Sequence, residues 1–343
     1  MTMRDFSCFR DGAVSLASGA GVGGAGGALL DRSLQAATAC VYKAALSSGK
    51  ELVIKVTWTR STAADPADAG ATGLSVAVED ATLVPPNPKK LLPSAAATPR
   101  RSLLVTAPQA QPQQQQAVVL LQKKRGSRSF VTDAGTAVAV HWDTSDAKHR
   151  HPSSPEPCRD YYLAVVSNGE LALLLGGGEP ARDLARRFPA PRRRALLVSR
   201  REQVRAPPPP PSAATAHSYS TRCRFREDGA EHEVTVACSR GAEEGGGELA
   251  VSVDGKKVVE ARRVRWNFRG NRTAVLGDGA VVEVMWDVHD WWFPGAAGVH
   301  GGAGAQFMVK VRGAADGVWM DEEMASKGLP PAGFFLHLQC YRR

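Results

Sequence analysis

Two short patterns place chemically capable side chains at fixed spacing. Trp-Asp-x-x-Asp occurs twice, as Trp142-Asp143-Thr-Ser-Asp146 and as Trp286-Asp287-Val-His-Asp290. Paired carboxylates beside a loop supply the hard oxygen ligands that calcium takes, so Asp143, Asp146, Asp287 and Asp290 are candidate metal ligands. The competing assignment packs the tryptophans in a core while the aspartates accept hydrogen bonds from backbone amides and hold turns. Upstream of each pattern stands Arg-Gly-Ser/Asn-Arg, at Arg125 to Arg128 and at Arg269 to Arg272. As a tight glycine bend between two guanidinium groups it suits phosphate or carboxylate, which an arginine fork matches in shape and charge. As scaffold it is a hairpin turn whose arginines pair with local acids.

The run Trp291-Trp292-Phe293 follows the second Trp-Asp pattern. Successive strand residues point to opposite faces, so three adjacent aromatics cannot all enter one core. They pack in part under the Gly-rich stretch from Gly295 to Gly304, or they form an aromatic patch for a partner or a lipid interface. His289 between Asp287 and Asp290 invites an acid–base or metal reading, but Ser145 stands at the matching place in the first pattern. His149, His151 and Cys158 lie in a Pro-rich loop and look incidental as ligands. No nucleophile elbow, P-loop, His-Glu-x-x-His or dinucleotide fingerprint occurs. No residue is therefore assigned to catalysis or to a cofactor, and a non-catalytic protein is expected.

Charge is uneven. Of 43 Lys plus Arg against 34 Asp plus Glu, a formal +9, nine arginines fall between Arg182 and Arg205 with only Asp183 and Glu202 opposing them. Arg192, Arg193, Arg194, Arg200 and Arg201 form its centre. The segment reads as a nuclear-import signal, a contact for phosphate or anionic lipid, or a solvated loop between two domains, the commonest fate of a charge run. Phe188 is the one aromatic nearby, which disfavours nucleic-acid base stacking. The six cysteines are scattered without a Cys-x-x-Cys pair, and Asp5, Arg10 and Asp11 occupy the place of a signal-peptide core. No apolar run reaches the ~18 residues of a membrane-spanning helix. An intracellular chain, cytoplasmic and/or nuclear, with reduced thiols is expected.

The elements that carry these residues repeat. Lys124 to Asp143 aligns without a gap on Phe268 to Asp287, sharing Arg-Gly-Ser/Asn-Arg, a glycine turn and Val-x-Val-x-Trp-Asp. Upstream, Thr38 to Lys43 matches Thr221 to Arg226, Leu52 to Trp58 matches Val234 to Cys238, and Leu74 to Glu79 matches Leu249 to Asp254. Apolar and polar residues alternate in each block, the period of a strand with one buried face. Asn168-Gly169, Asp254-Gly255 and Asp278-Gly279 supply hairpin turns. Further strands are expected at Tyr161 to Ser167, Glu170 to Leu175, Ala195 to Arg201, Gln306 to Arg312 and Phe334 to Tyr341. Short helical turns are expected at Arg182 to Phe188 and Asp321 to Lys327. The expectation is an all-β protein of antiparallel sandwich- or barrel-like form, two pseudo-repeated β units packed together with few short helices. Its parts are a flexible lead 1–37, a first unit 38–206, a Pro-rich linker 207–218 and a second unit 219–343. A disordered Gln/Pro-rich insertion occupies about 83–116, with one possible strand at Ser102 to Thr106.

These residues resemble a plant-specific uncharacterised family, domain of unknown function 868. The marks are Met3-Arg-Asp-Phe, Thr38-x-Cys-x-Tyr42, Val56-Thr-Trp58, the Leu74 to Val78 strand and Trp142-Asp143. The second half adds Arg265-Trp-Asn-Phe-Arg-Gly-Asn-Arg272 and Val284-Met-Trp-Asp-Val-His-Asp-Trp291. The insertion before Ala117 is longer than the family pattern. The resemblance implies a plant source and a β-rich fold, and brings no catalytic residues. The functional expectation is a binding or adaptor module for a protein partner, using Trp291, Trp292, Phe293 and the arginines Arg125, Arg128, Arg269 and Arg272. The alternatives are a peripheral, calcium-assisted binder of anionic phospholipid membranes and a barrel enclosing a small apolar ligand.

Overall fold

The computed structural model describes residues 14–15, 34–60, 72–81, 118–150, 154–191, 193–206, 217–240, 247–292, 304–312 and 333–342. The insertion with the possible strand Ser102 to Thr106, the Pro207 to Pro211 spacer and the Asp321 to Lys327 turn lie outside the described residues.

The first half contributes β1 (Val14–Ser15), β2 (Leu34–Ala45), β3 (Glu51–Arg60), β4 (Thr72–Asp80), β5 (Val118–Leu121) and β6 (Arg125–Val131). It continues with β7 (Ala137–Asp143), β8 (Lys148–His149), β9 (Pro157–Arg159), β10 (Tyr162–Ser167), β11 (Glu170–Gly176), helix α1 (Glu179–Arg187) and β12 (Leu196–Ala206). The second half follows with β13 (His217–Cys223), β14 (His232–Arg240), β15 (Gly247–Val253), β16 (Lys256–Arg262) and β17 (Arg269–Val275). It closes with β18 (Val281–Asp287), the single turn α2 (His289–Trp292), β19 (Gly304–Val311) and β20 (Phe335–Arg342).

Ten strands join in one sheet of order β1-β17-β18-β19-β20-β12-β2-β3-β4-β5, and two four-stranded sheets, β11-β10-β7-β6 and β13-β14-β15-β16, lie against it. The first half gives β2 to β5 and its last strand, β12, to the large sheet and β6, β7, β10 and β11 to a small one, with β8 and β9 as a two-stranded ribbon. The second half gives β13 to β16 to the other small sheet and β17 to β20 to the large one. Side chains show why both small sheets share one face of the large one. Leu52, Ile54, Val56 and Trp58 of β3 are buried against Val138, Val140, Trp142, Leu163 and Val165 of the first small sheet. Val282, Val284 and Trp286 of β18 with Leu336 and Leu338 of β20 meet Val234, Val236, Leu249 and Val251 of the second. Across β12 the register sets Cys40 beside Arg200 beside Leu336, and Thr38 beside Glu202 beside Leu338, so these residues line the same face.

Among the described residues no sheet closes on itself, so of the two expected forms the chain takes the sandwich and not the barrel. Strand β2 begins at Leu34, ahead of the Thr38 pattern, because β12 pairs along it as far as Leu34. Helix α1 starts at Glu179, with Pro180 in its first turn, where a missing amide hydrogen costs nothing. Asn168-Gly169 and Asp254-Gly255 both take positive φ, the pair of left-handed residues that a two-residue hairpin requires.

The Arg-Gly-x-Arg segments are not glycine bends. They open strands β6 and β17, with Gly126 opposite Trp142 and Gly270 opposite Trp286. Each indole lies flat over its glycine, where any side chain would collide. A Cβ on Gly126 would stand 3.1 Å from Cζ2 of Trp142, and one on Gly270 only 2.3 Å from Cζ2 of Trp286. Each indole N–H then donates past that glycine, Trp142 Nε1 to Lys123 O at 2.7 Å and Trp286 Nε1 to Asn267 O at 3.2 Å. The glycine is there to seat the tryptophan. Gly270→Ala should cost about 2–3 kcal/mol in denaturant unfolding, the usual penalty for overpacking a fitted core. Gly126→Ala should cost less. Equal losses, or none, would contradict the stacking.

Candidate functional site

At the Trp-Asp ends the carboxylates serve the backbone. Asp143 Oδ1 accepts from the Ser145 amide at 2.9 Å, and Asp287 Oδ1 from the His289 amide at 3.0 Å, each holding the chain as it leaves its strand. The other oxygen of Asp287 takes Arg269 Nε at 2.6 Å, because the register sets Arg269 directly opposite. Asp290 Oδ1 contacts His289 Nδ1 at 2.8 Å, and Asp146 is exposed. The paired acids do not converge. Among the described residues no group of three His, Cys, Asp or Glu is placed to hold a metal ion.

The aromatic run divides. Trp291 is buried in the second core, 6% exposed, which removes it from the partner-facing candidates. It turns inward because residues 289–292 form a helical turn rather than continued strand, and a helix can send one side chain to the core while its neighbours diverge. The Trp292 side chain and Phe293 lie outside the described residues. The exposed aromatic is instead Trp266, 79% exposed, in the loop between β16 and β17. That loop is pinned at several points. Val264 is fully buried and its amide donates to Gly247 O; the Trp266 and Asn267 amides donate to Arg263 O; Asn267 Nδ2 donates to Arg262 O at 2.8 Å. Phe268 meets the His289 ring edge-on at 5.2 Å, with the Arg269 guanidinium 5.5 Å from its own centroid. Arg262, Arg263, Arg265 and Arg269 are exposed around Trp266. Nothing in the period of the sequence marked Trp266 for the surface; its place between Arg263 and Arg265 on one side and Arg269 on the other was the available signal.

The basic segment is not a solvated loop. Arg182 and Arg186 pair with Glu179 and Asp183 along α1, and Arg193 and Arg194 are exposed before β12. Arg192 lies outside the described residues. Arg200 and Arg201 sit within β12, the strand between the two halves, and Arg201 stands opposite the buried His337. Arg200 reaches Glu202 Oε1 at 2.5 Å and Glu156 Oε2 at 2.6 Å. Glu202 has no exposed surface, and its oxygens also accept from Tyr219 at 2.8 Å and Thr221 at 2.7 Å. Glu156 precedes β9, which pairs with β8 in a two-stranded ribbon, and Tyr219 and Thr221 lie on β13, so the cluster ties that ribbon and the second small sheet to the central strand. Burial pulls the Arg200 guanidinium down, but Glu202 and Glu156 outweigh it and hold its pKa above the ordinary value. Burial drives the neighbouring Cys40 thiol up to about 12, so it is no nucleophile. Five described cysteines are free. Glu202→Gln removes the counter-charge from a buried guanidinium and should cost about 3 kcal/mol of unfolding free energy. A change under about 0.5 kcal/mol would mean that water already reaches the cluster.

A second titratable cluster locks the far end of the second sandwich. His232, 3% exposed, holds Asp254 Oδ2 at 2.7 Å through Nδ1. Its Nε2 lies 3.2 Å from Asp278 Oδ2, an ion-pair contact without hydrogen-bond alignment. Asp254 and Asp278 stand in the β15–β16 and β17–β18 turns, so the imidazole bridges the two sheets. In the first sandwich, Asp80 plays the bridging part with Lys50, Thr132 and Thr136. Burial lowers the His232 pKa, but Asp254 and Asp278 outweigh it and raise it above 6.5. Asp278 is raised by burial and lowered further by the Ala280 amide and His232, ending below its ordinary value. The stability from His232 is thus complete below the usual imidazole range and is lost as pH rises through its raised folded value. The part owed to Asp278 is lost in acid. Wild type should exceed His232→Gln in stability near pH 6, with the gap closing by about pH 9; a flat difference would contradict the bridge.

Among the described residues no helix is long and apolar enough to cross a membrane. No curated protein and no solved structure matches the chain. A family model described as "Plant protein of unknown function (DUF868)" matches residues 33–333, which takes in β2 to β19, with the arginine-bearing central strand and the Trp266 loop. The chain therefore belongs to the DUF868 family of plant proteins.

Proposed function

We propose that this protein is a non-catalytic binding module that engages a protein partner through the corner around Trp266, inside the cell, in cytoplasm and/or nucleus. The observation that carries the reading is a tryptophan 79% exposed on a loop held by its own hydrogen bonds and by the buried Val264. A large aromatic fixed in advance loses little entropy on binding, and tryptophan with arginine is the pair most enriched where interfaces concentrate their energy. Opposite charges nearby favour a protein over a membrane. Arg262 is answered by Glu248 and Glu260, and Arg269 by Asp287, so the corner offers paired, directional contacts rather than one broad positive field. Asp143 and Asp287, two of the four carboxylates that suggested calcium, are engaged with backbone amides and, for Asp287, with Arg269, which supports the same reading over calcium-assisted lipid binding. We also infer that the two halves are copies of one ancestral unit. The matched Gly–Trp pairs support it.

Trp266→Ala should leave the unfolding midpoint unchanged, since little surface is buried there. Against a partner isolated from plant extract and then purified, it should weaken Kd by roughly thirtyfold, about 2 kcal/mol. Unchanged affinity would overturn the assignment of this corner. Calcium-dependent sedimentation with phosphatidylserine vesicles would replace the protein partner with a membrane.

A further inference from the structure

We propose that β6, at the open edge of the first sandwich, accepts an acidic extended peptide by strand addition. Among the described residues β6 ends its sheet and pairs only with β7. Six of its seven residues are exposed, Phe130 alone being half-buried. The outer backbone of such a strand is a row of N–H and C=O groups ready to pair with another chain. The corresponding edge of the second sandwich takes a strand already. There β17 is bordered by β1, running parallel with Val14 opposite Ala274 and Ser15 opposite Val275. β6 and β17 hold the same place beside β7 and β18, over the same kind of Gly–Trp pair, so the geometry that is filled in one unit stands open in the other.

Charge identifies the occupant. Lys123, Lys124, Arg125 and Arg128 are all exposed along this edge, and among the described residues no ion pair is formed by any of them. At the filled edge Arg269 is neutralised by Asp287, 2.6 Å away. In the first unit Asp143 stands opposite Arg125 in register, with one oxygen on the Ser145 amide. Unanswered cations on a strand edge repel basic strands, would have to be desolvated under a neutral apolar one, and favour a strand that brings carboxylates to them. This site is separate from the Trp266 corner, and its test does not depend on that reading.

The probe is a fluorescein-labelled heptapeptide, Glu-Val-Thr-Val-Glu-Val-Thr, titrated with the full-length protein and followed by fluorescence polarisation. Two controls accompany it, a version with Gln in place of Glu and a pair methylated on alternate amides, one in each frame. Saturable binding is expected, at least about tenfold weaker for the Gln peptide and for the double variant Lys124→Glu/Arg128→Glu. One N-methyl frame should abolish binding, amide exchange over 125–131 should slow, and Trp266→Ala should bind the probe like wild type. Both charge changes are at exposed positions, and an unfolding midpoint equal to wild type confirms that the variant is folded. The proposal is overturned by absence of saturable binding, by equal binding of both methylated frames, or by unaltered exchange at β6. It is equally overturned if the edge proves filled by a second copy, seen as self-association in sedimentation that Arg128→Glu abolishes.

Discussion

Glu202 has none of its surface in contact with water, and it stands on the strand that every other part of the large sheet is built around. A carboxylic side chain is tolerable there only while its oxygens are occupied, and Arg200, Tyr219 and Thr221 occupy them. Arg200 in turn pairs with Glu156, which precedes β9 of the two-stranded β8–β9 ribbon. The two sandwiches are consequently not beads on a string. Tyr219 and Thr221 of the second unit complete a cluster whose cation and buried acid belong to the first, and an apolar seam of similar size would not specify that register. Buried polar groups select one arrangement because every alternative leaves some of them unpaired.

Within each sandwich the corresponding constraint is the tryptophan laid over a glycine. It explains two sequence patterns at once. Arg-Gly-x-Arg and Val-x-Val-x-Trp-Asp are neighbouring strands of one hairpin, and the glycine of the first exists for the indole of the second. The arginine before the glycine then falls opposite the aspartate after the tryptophan, which in the second unit makes the Arg269–Asp287 pair. Residues that looked like two separate sites, one for anions and one for calcium, are two sides of a single structural device. The same device anchors the Trp266 loop, through the hydrogen bond from the Trp286 indole to Asn267 O.

Much of this was legible before any coordinates. Alternation in β3, β7 and β18 gave strand and face together, because a two-residue period has one solution when one side must be buried. Asn168-Gly169 and Asp254-Gly255 marked their turns for a similarly local reason, the positive φ that those residues accept. Within the arginine segment, the strand expected from Ala195 to Arg201 was legible, but its central place was not, because β12 is held by pairing on both sides, β2 and β20. Trp291 and Trp266 could not be sorted by type. One is buried and the other open according to a single helical turn and a pinned loop, and neither has a period to read.

By itself, then, the amino-acid order determined the local facts: strands and their inward faces, the turns and the family. Each follows from neighbours a few residues apart, whose sterics and hydrophobic period act whatever the rest of the chain does. Tertiary structure alone decided the joining of both halves into one ten-stranded sheet, the gathering of Arg200, Glu202, Glu156 and Tyr219, and the choice of which edge, β17 or β6, is covered. Those outcomes depend on contacts between residues tens to hundreds of positions apart, and no pattern in a linear string records which distant backbone will come to lie alongside.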